Sequence, residues 1–268
     1  MLIRRPHVAG TFYPSDQAHL RTYCETHLFP EEKTVKARAV ILPHAGYVYS
    51  GDTACLVLSK VEIPKRIFLM GPNHWNAGAP FALFSEGAWE TPLGRVEVDR
   101  EFAQAVLDSS VEIKKDEEAH RAEHSLEVLL PIIQMCSSDF KICPLLIGAA
   151  EKTKAREVAF HVGPVLRDSF EPLLLVISND MNHYEADELT RKKDRYALDA
   201  ILNLDEESLL HAVHEYRITM CGLMPVYMLL VMKDFLGIRK ASLVDYRTSA
   251  DASGDKQRVV GYAGFIFE

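Results

Sequence analysis

Three short apolar runs in this chain stop at a helix- and strand-breaking residue, and each is followed within a few positions by a histidine. They are AVILPHAGYVYSG, carrying His44; RIFLMGPNHWNAG, carrying His74; and LLLVISNDMNHY, carrying Asp180 and His183. An apolar run of roughly 4–8 residues between such breakers has the pattern of a strand buried on both faces, as in parallel sheet. Parallel strands cannot be joined by tight turns, so the chain must return through crossovers, usually helices.

The intervening sequence supplies them. Strands are expected at 38–42, 66–70, 140–147 and 173–177, with further β-like segments at 239–248 and 258–267. Helical patterns cover 15–28, opened by Ser15-Asp16, and 51–60 and 99–109, each opened by an Asp. Residues 121–135 place Leu126, Leu129, Leu130 and Ile133 on one helical face, and 151–167, 185–202, 205–215 and 220–236 follow. Residues 84–98 read as an irregular hairpin around Pro92-Leu93-Gly94. No linker, repeat or low-complexity stretch interrupts the pattern. The expected fold is α/β: one domain over 1–268 with a mixed, mostly parallel central sheet flanked by helices.

In open α/β sheets the loops leaving the carboxyl ends of the strands gather on one edge, and ligands bind there. His44, His74, Asp180 and His183 are therefore expected to converge. One histidine after a strand is commonly structural, whereas three on equivalent loops suggest a site. Two imidazoles with one anionic group make an open metal site, and the anionic candidates are Asp180, Glu123 and Cys221. Cys221 stands at the start of an apolar helical pattern, where backbone N–H groups favour the thiolate, although a small core residue fits the position equally well. Cys24, Cys55, Cys136 and Cys143 lie inside helix or strand patterns and read as packing residues. HRAEHSLEVLLPII contains His120, Glu123 and His124 in the H-x-x-E-H spacing of inverted zinc peptidases, but the charged segment before it reads as a loop that leaves His120 outside the helix. His7, His19, His27, His161, His211 and His214 have polar or helical surroundings and read as solvated or packing residues. No nucleotide fingerprint is present, since PHAGYVYSG lacks the Gly-Lys-Ser/Thr ending of a phosphate loop.

A net charge of −8 argues against a nucleic-acid partner. No window reaches the ~18–20 apolar residues of a membrane span, and the N-terminal stretch has no apolar core of the ~7–15 residues typical of a secretion signal. Five cysteines, odd in number and without C-x-x-C spacing, fit reduced thiols and a cytoplasmic location.

Taken together, RRPHVAGTFYP, LPHAGYVYSG, LMGPNHW, AEHSLEVLLP, ISNDMNHY, TMCGLMP and GYAGFIF resemble the Memo family, which is related to the class III (LigB-type) extradiol dioxygenases. The resemblance runs over nearly the whole chain and implies a LigB-like fold. It implies His44, His74 and Cys221 as metal ligands, with Cys221 in the place of the dioxygenases' carboxylate. It further implies His183 as the acid/base group with Asp180 beside it. On this reading His120 points to solvent, while His124 enters the pocket from the start of a helix as a donor to substrate. The implied cofactor is iron or copper, with zinc able to enter on purification, and the implied partner is a small-molecule substrate or a peptide ligand. Two competing readings use the same pocket: a metal-free hydrolase or transferase with Cys221 as nucleophile, His183 as base and Asp180 as its orienter, and a non-catalytic binding module. No motif names the substrate, chooses among the metals or sets an oligomeric state.

Overall fold

The structure is a computed structural model that describes residues 2–29 and 34–268. In chain order these form β1 (Ile3–Arg4), α1 (Gln17–His27), β2 (Ala39–Leu42), α2 (Tyr47–Leu58), β3 (Arg66–Pro72), β4 (Phe81–Leu83), β5 (Ala88–Thr91), β6 (Gly94–Glu97) and α3 (Arg100–Ser109). There follow β7 (Ile113–Lys115), α4 (Leu130–Cys136), β8 (Lys141–Ile147), α5 (Lys152–Arg167), β9 (Leu173–Ser178), β10 (His183–Glu185) and α6 (Asp187–Leu202). The chain closes with α7 (Glu206–Glu215), α8 (Leu223–Met232), β11 (Ala241–Thr248), α9 (Ala250–Ser253) and β12 (Val259–Phe267).

The central sheet has the order β10-β12-β2-β9-β3-β8-β4-β7, with β11 on the other edge of β12. β2, β9, β3 and β8 run parallel, and antiparallel pairings join β12 to β2 and β4 to β8. Every residue of β2 is buried, and so are all of β3 and β9 after their first residue, as the uninterrupted apolar runs required. The registers Leu42↔Ser178 and Met70↔Ile177 bring the carboxyl ends of β2, β9 and β3 level. Helices cover both faces. A Cβ on Gly264 of β12 would meet Thr53 and Val57 of α2, while one on Gly261 would meet Asp194 of α6. The α8 segment LMPVYMLLVM is apolar all round and buried over eight of its residues, as a helix without a polar face must be. The expected hairpin is β5–β6, joined by parallel β1 into a separate small sheet. Among the described residues, no helix is long and apolar enough to cross a membrane.

Three local expectations need correction. The helix expected from 51 starts at Tyr47, because the Tyr47 N–H is taken by the Phe12 carbonyl at 2.8 Å and needs no side-chain cap. The helix expected over 121–135 begins only at Leu130, after a 3₁₀ turn at Glu127–Leu129. Upstream, the Glu123 carboxylate accepts from the N–H groups of His124 and Ser125, both at 2.8 Å. Such side-chain capture of backbone donors competes with helix formation. Finally, the helix expected over 220–236 starts at Leu223, so Cys221 lies just outside it.

Candidate metal centre

The loops leaving β2, β3 and β9 meet as the strand order requires, and the residues between them set the details. Gly71 closes β3, and a Cβ there would come within 2.7 Å of Leu126 and 3.1 Å of Ser125 and Ser178. Its bare backbone thus lets the 123–126 loop settle on the strand ends. Gly222 does the same for the Cys221 loop, where a Cβ would lie 2.5 Å from the Ser178 carbonyl. Both glycines serve close approach rather than an unusual φ.

His44 is 2 % exposed and its position is over-determined. Its backbone N–H donates to Asp180 Oδ1 at 2.8 Å. Ser178 Oγ lies 2.6 Å from His44 Nδ1 and 2.6 Å from the Ser125 carbonyl, and the Ser125 hydroxyl donates to the Pro72 carbonyl at 2.8 Å. A carbonyl only accepts, so the single Ser178 proton goes to Ser125 and His44 Nδ1 must be the donor to Ser178. The lone pair of His44 is then on Nε2, which faces Cys221 Sγ at 3.4 Å.

His74 obeys the same rule. Its Nδ1 lies 2.9 Å from Glu123 Oε1, and its backbone N–H donates to Glu123 Oε2 at 2.6 Å. Glu123 is 1 % exposed, and although burial opposes its charge, the hydrogen bond from His74 prevails and holds its pKa down at about 2. An ionised carboxylate accepts only, so Nδ1 of His74 donates and Nε2 is left for a ligand. Burial also opposes charge on His74, but the Glu123 contact outweighs it and raises that imidazole's pKa. His124 stacks on His74 with ring centroids 4.7 Å apart, and burial lowers its pKa. Burial, then the neighbouring imidazoles of His74 and His124, push His44 well below the ordinary histidine range.

Cys221 Sγ accepts from the Asp180 N–H at 3.3 Å. The expected thiolate is not favoured by this position alone. Burial first and the Asp180 carboxylate second push the thiol well above its ordinary pKa, outweighing the backbone donors beside it. Burial likewise raises Asp180. His183 donates through Nδ1 to the Thr219 carbonyl at 2.8 Å, and its backbone N–H donates to Thr219 Oγ1 at 2.8 Å. Tyr184 beside it has φ 63°, a left-handed conformation rare for an aromatic residue and typical of strain held at a site. Phe12, His44, His74, His124, Asp180, His183, Thr219 and Cys221 line one cavity of about 700 Å³.

Among the described residues, two side-chain groups bring possible metal-ligand atoms within 4.8 Å of one another: His44, His74 and Cys221, and His74, Glu123 and His124. The inverted-zincin arrangement is absent. His120 is fully buried in a 3₁₀ turn, with Nε2 on the Ala82 carbonyl at 2.9 Å and its ring against Phe84 and Trp89. The expectation that it points to solvent fails, because the charged segment before it turns inward to complete β7's pairing with β4. The metal-free triad is also not assembled as expected. His183 is oriented by Thr219, Asp180 by His44, and the imidazole facing the thiol is that of His44.

Residues 4–266 match the sequence profile of the family described as Memo-like protein. The chain belongs to the Memo-like family. Among its relatives, an Aquifex aeolicus MEMO1 family protein is 42% identical over 269 residues, covering 100% of both chains. An Archaeoglobus fulgidus MEMO1 family protein is 39% identical over 265 residues, and one from Methanobrevibacter smithii is 36% identical over 282 residues, with at least 99% of each chain covered.

In this Memo-like chain the two donor groups are not equivalent. Glu123 Oε1 already accepts from His74 Nδ1 and from the N–H groups of His124 and Ser125, so an ion between His74, Glu123 and His124 would compete with the hydrogen bonds that hold this loop. His44 Nε2 and His74 Nε2 carry free lone pairs, and Cys221 Sγ, which accepts one bond from the Asp180 N–H, keeps further lone pairs for an ion. A cation there would also offset the burial that raises the pKa of Cys221 and of Asp180. The donor set therefore fits a metal ion. Sequence patterning did not reveal Ser125, Ser178 and Thr219 as the groups that orient it, though Ser178 lies in the ISNDMNHY segment and Thr219 in TMCGLMP. Replacing Glu123 by Gln puts an amide among donors and is expected to weaken metal binding roughly 10–100-fold, as loss of an orienting partner does, measured by chelator competition.

Proposed function

We propose that this chain holds one iron or copper ion through His44, His74 and Cys221 and performs oxidative chemistry on a small molecule bound beside it. The observation that carries this reading is the meeting of three lone-pair donors within 4.8 Å, with both imidazoles fixed in the Nδ1–H form by Ser178 and Glu123. Thiolate is a softer ligand than carboxylate and moves the preference toward copper or a redox-sensitive iron centre. When bound, such an ion supplies Lewis acidity and one-electron chemistry.

The chain's own residues supply the rest. His183, tied through Nδ1 to Thr219, presents Nε2 to the cavity and is the group that takes up and returns a substrate proton. Asp180 fixes the His44 backbone and, held toward its protonated form by burial, offers a second proton store next to it. His124, kept toward neutral, donates to or accepts from a substrate oxygen. Phe12 packs on His124 at 4.7 Å between ring centroids and shields that side from water.

Elemental analysis of protein purified anaerobically without chelator, followed by oxygen uptake over a substrate panel, tests this. One equivalent of iron or copper is expected. His183→Ala is expected to keep that metal and lose turnover by roughly 10²–10⁴-fold, the usual contribution of a proton-transfer group. Loss of metal in this variant would make His183 a ligand instead, and metal without oxygen uptake would favour a binding module.

A further inference from the structure

We infer that Tyr262 is a substrate-binding hydroxyl of this site, donating a hydrogen bond to an oxygen atom of the molecule in the cavity. The inference rests on the reading above, that a small molecule occupies this cavity. Tyr262 is 2 % exposed and lines the cavity with His44, Asp180 and Cys221. Among the described residues, its hydroxyl has no hydrogen-bond partner. Other tyrosines packed into the fold differ, and the hydroxyl of fully buried Tyr227 accepts from Arg156 at 3.4 Å. Tyr13 donates to Glu127 at 2.7 Å, Tyr23 to the Tyr47 carbonyl at 2.9 Å, Tyr47 to the Val128 carbonyl at 2.8 Å and Tyr246 to Asp194 at 2.7 Å. A buried phenol ordinarily finds an acceptor, so one left open toward a cavity marks where a ligand atom belongs.

The topology explains how it gets there. β12 pairs with β2 only from Phe265↔Ile41 to Phe267↔Ala39, and its earlier residues overshoot the carboxyl end of β2. The overshoot is held by Gly261, which exchanges backbone hydrogen bonds with the 181–182 loop at 2.8 and 2.9 Å. Side chains alternate along a strand, and Gly264 looks toward α2 whereas Gly261 looks toward α6. Val260 and Tyr262 therefore face the α2 side, where the His44 loop enters that helix. Burial, with Asp180 second, raises the phenol's pKa, so it stays an O–H donor. With Phe12 and Val260 on the same walls, the substrate class is a small, partly apolar molecule with a hydroxyl, carbonyl or carboxylate oxygen.

The test is an anaerobic titration of the iron(II)-loaded protein with 4-nitrophenolate, whose absorption band shifts when its oxygen accepts a hydrogen bond. Tyr262→Phe is expected to keep the wild-type metal content and, without probe, the wild-type Tm, because no internal bond is lost. Its affinity for the probe is expected to fall roughly 10–150-fold, the worth of one hydrogen bond to a charged oxygen, and the bound band to move. Equal affinity and an unshifted band in wild type and variant would overturn the role of Tyr262 alone. A lower Tm in the variant without probe would make the hydroxyl structural and overturn it too. Failure of the loaded wild-type protein to bind the probe would overturn the small-molecule reading, and this inference with it.

Discussion

Cys221→Ser and His44→Ala are each expected to leave the anaerobically purified protein without stoichiometric iron or copper. An orienting partner outside the ligand set typically costs roughly 10–100-fold in affinity, so loss of a ligand itself should cost more than about 100-fold. The two variants remove different things. Serine keeps the size of Cys221 but replaces a soft thiolate with a hydroxyl that does not ionise at neutral pH, so copper(I) retention should fail first. Alanine at position 44 removes Nε2 and leaves Ser178 without its donor, while the Ser178–Ser125–Pro72 chain stays closed. Metal content by elemental analysis, with circular dichroism as the folding control, decides the matter. A full equivalent of metal in folded Cys221→Ser would remove Cys221 from the centre.

Arg4→Met is expected to destabilise the fold by about 3–5 kcal/mol, the cost of breaking a buried ion pair from one side. Arg4 is 5 % exposed and reaches three close acceptors, Glu127 at 2.8 Å, the His120 carbonyl at 2.7 Å and the Glu123 carbonyl at 2.6 Å, with the Arg5 carbonyl farther off at 3.4 Å. Its guanidinium also lies 4.3 Å from the centre of the Trp89 ring. Glu127, itself fully buried, accepts from the N–H groups of His7 and Val8 and from Tyr13. The pair thus fastens the N-terminal arm to the loop that carries Glu123 and His124, and the arm places Phe12 on His124. Without Arg4 a carboxylate is left buried beside two bare carbonyls. Arg4→Lys should recover little, since one ammonium lacks the planar fork that meets three acceptors. Denaturant unfolding measures the loss. A change under about 1 kcal/mol would show that the arm is not held this way.

Much of the architecture was legible because it is written in local patterns. The apolar runs before His44, His74 and Asp180 are strands of the parallel centre, and Asp16 and Asp99 cap α1 and α3. The hairpin around Pro92-Leu93-Gly94 is β5–β6. What misled were the places where a distant group overrode a local preference. The heptad-like spacing of Leu126, Leu129, Leu130 and Ile133 did identify core residues, yet Glu123 captured the N–H groups a helix would have used. His120 follows five charged residues among six and is nonetheless buried, because β7 pairs with β4 and draws the turn inward. β10 has no apolar run at all and exists only because β12 passes beside it.

By itself the sequence determined the central strands, most of the helices, their order and the presence of His44, His74 and His183 on loops at strand carboxyl ends. Periodicity and breakers act over a few residues, so they can be read one segment at a time. Only the tertiary structure decided which nitrogen of each imidazole is free, that the thiol faces His44 rather than His183, and that Glu123 anchors His74 and the N–H groups of its own loop. Those outcomes depend on hydrogen bonds between Ser178 and Ser125, His74 and Glu123, and Arg4 and Glu127, groups brought together by strand order and register. A buried donor or acceptor must find its partner wherever the fold supplies one, and that partner leaves no mark in the residues around it.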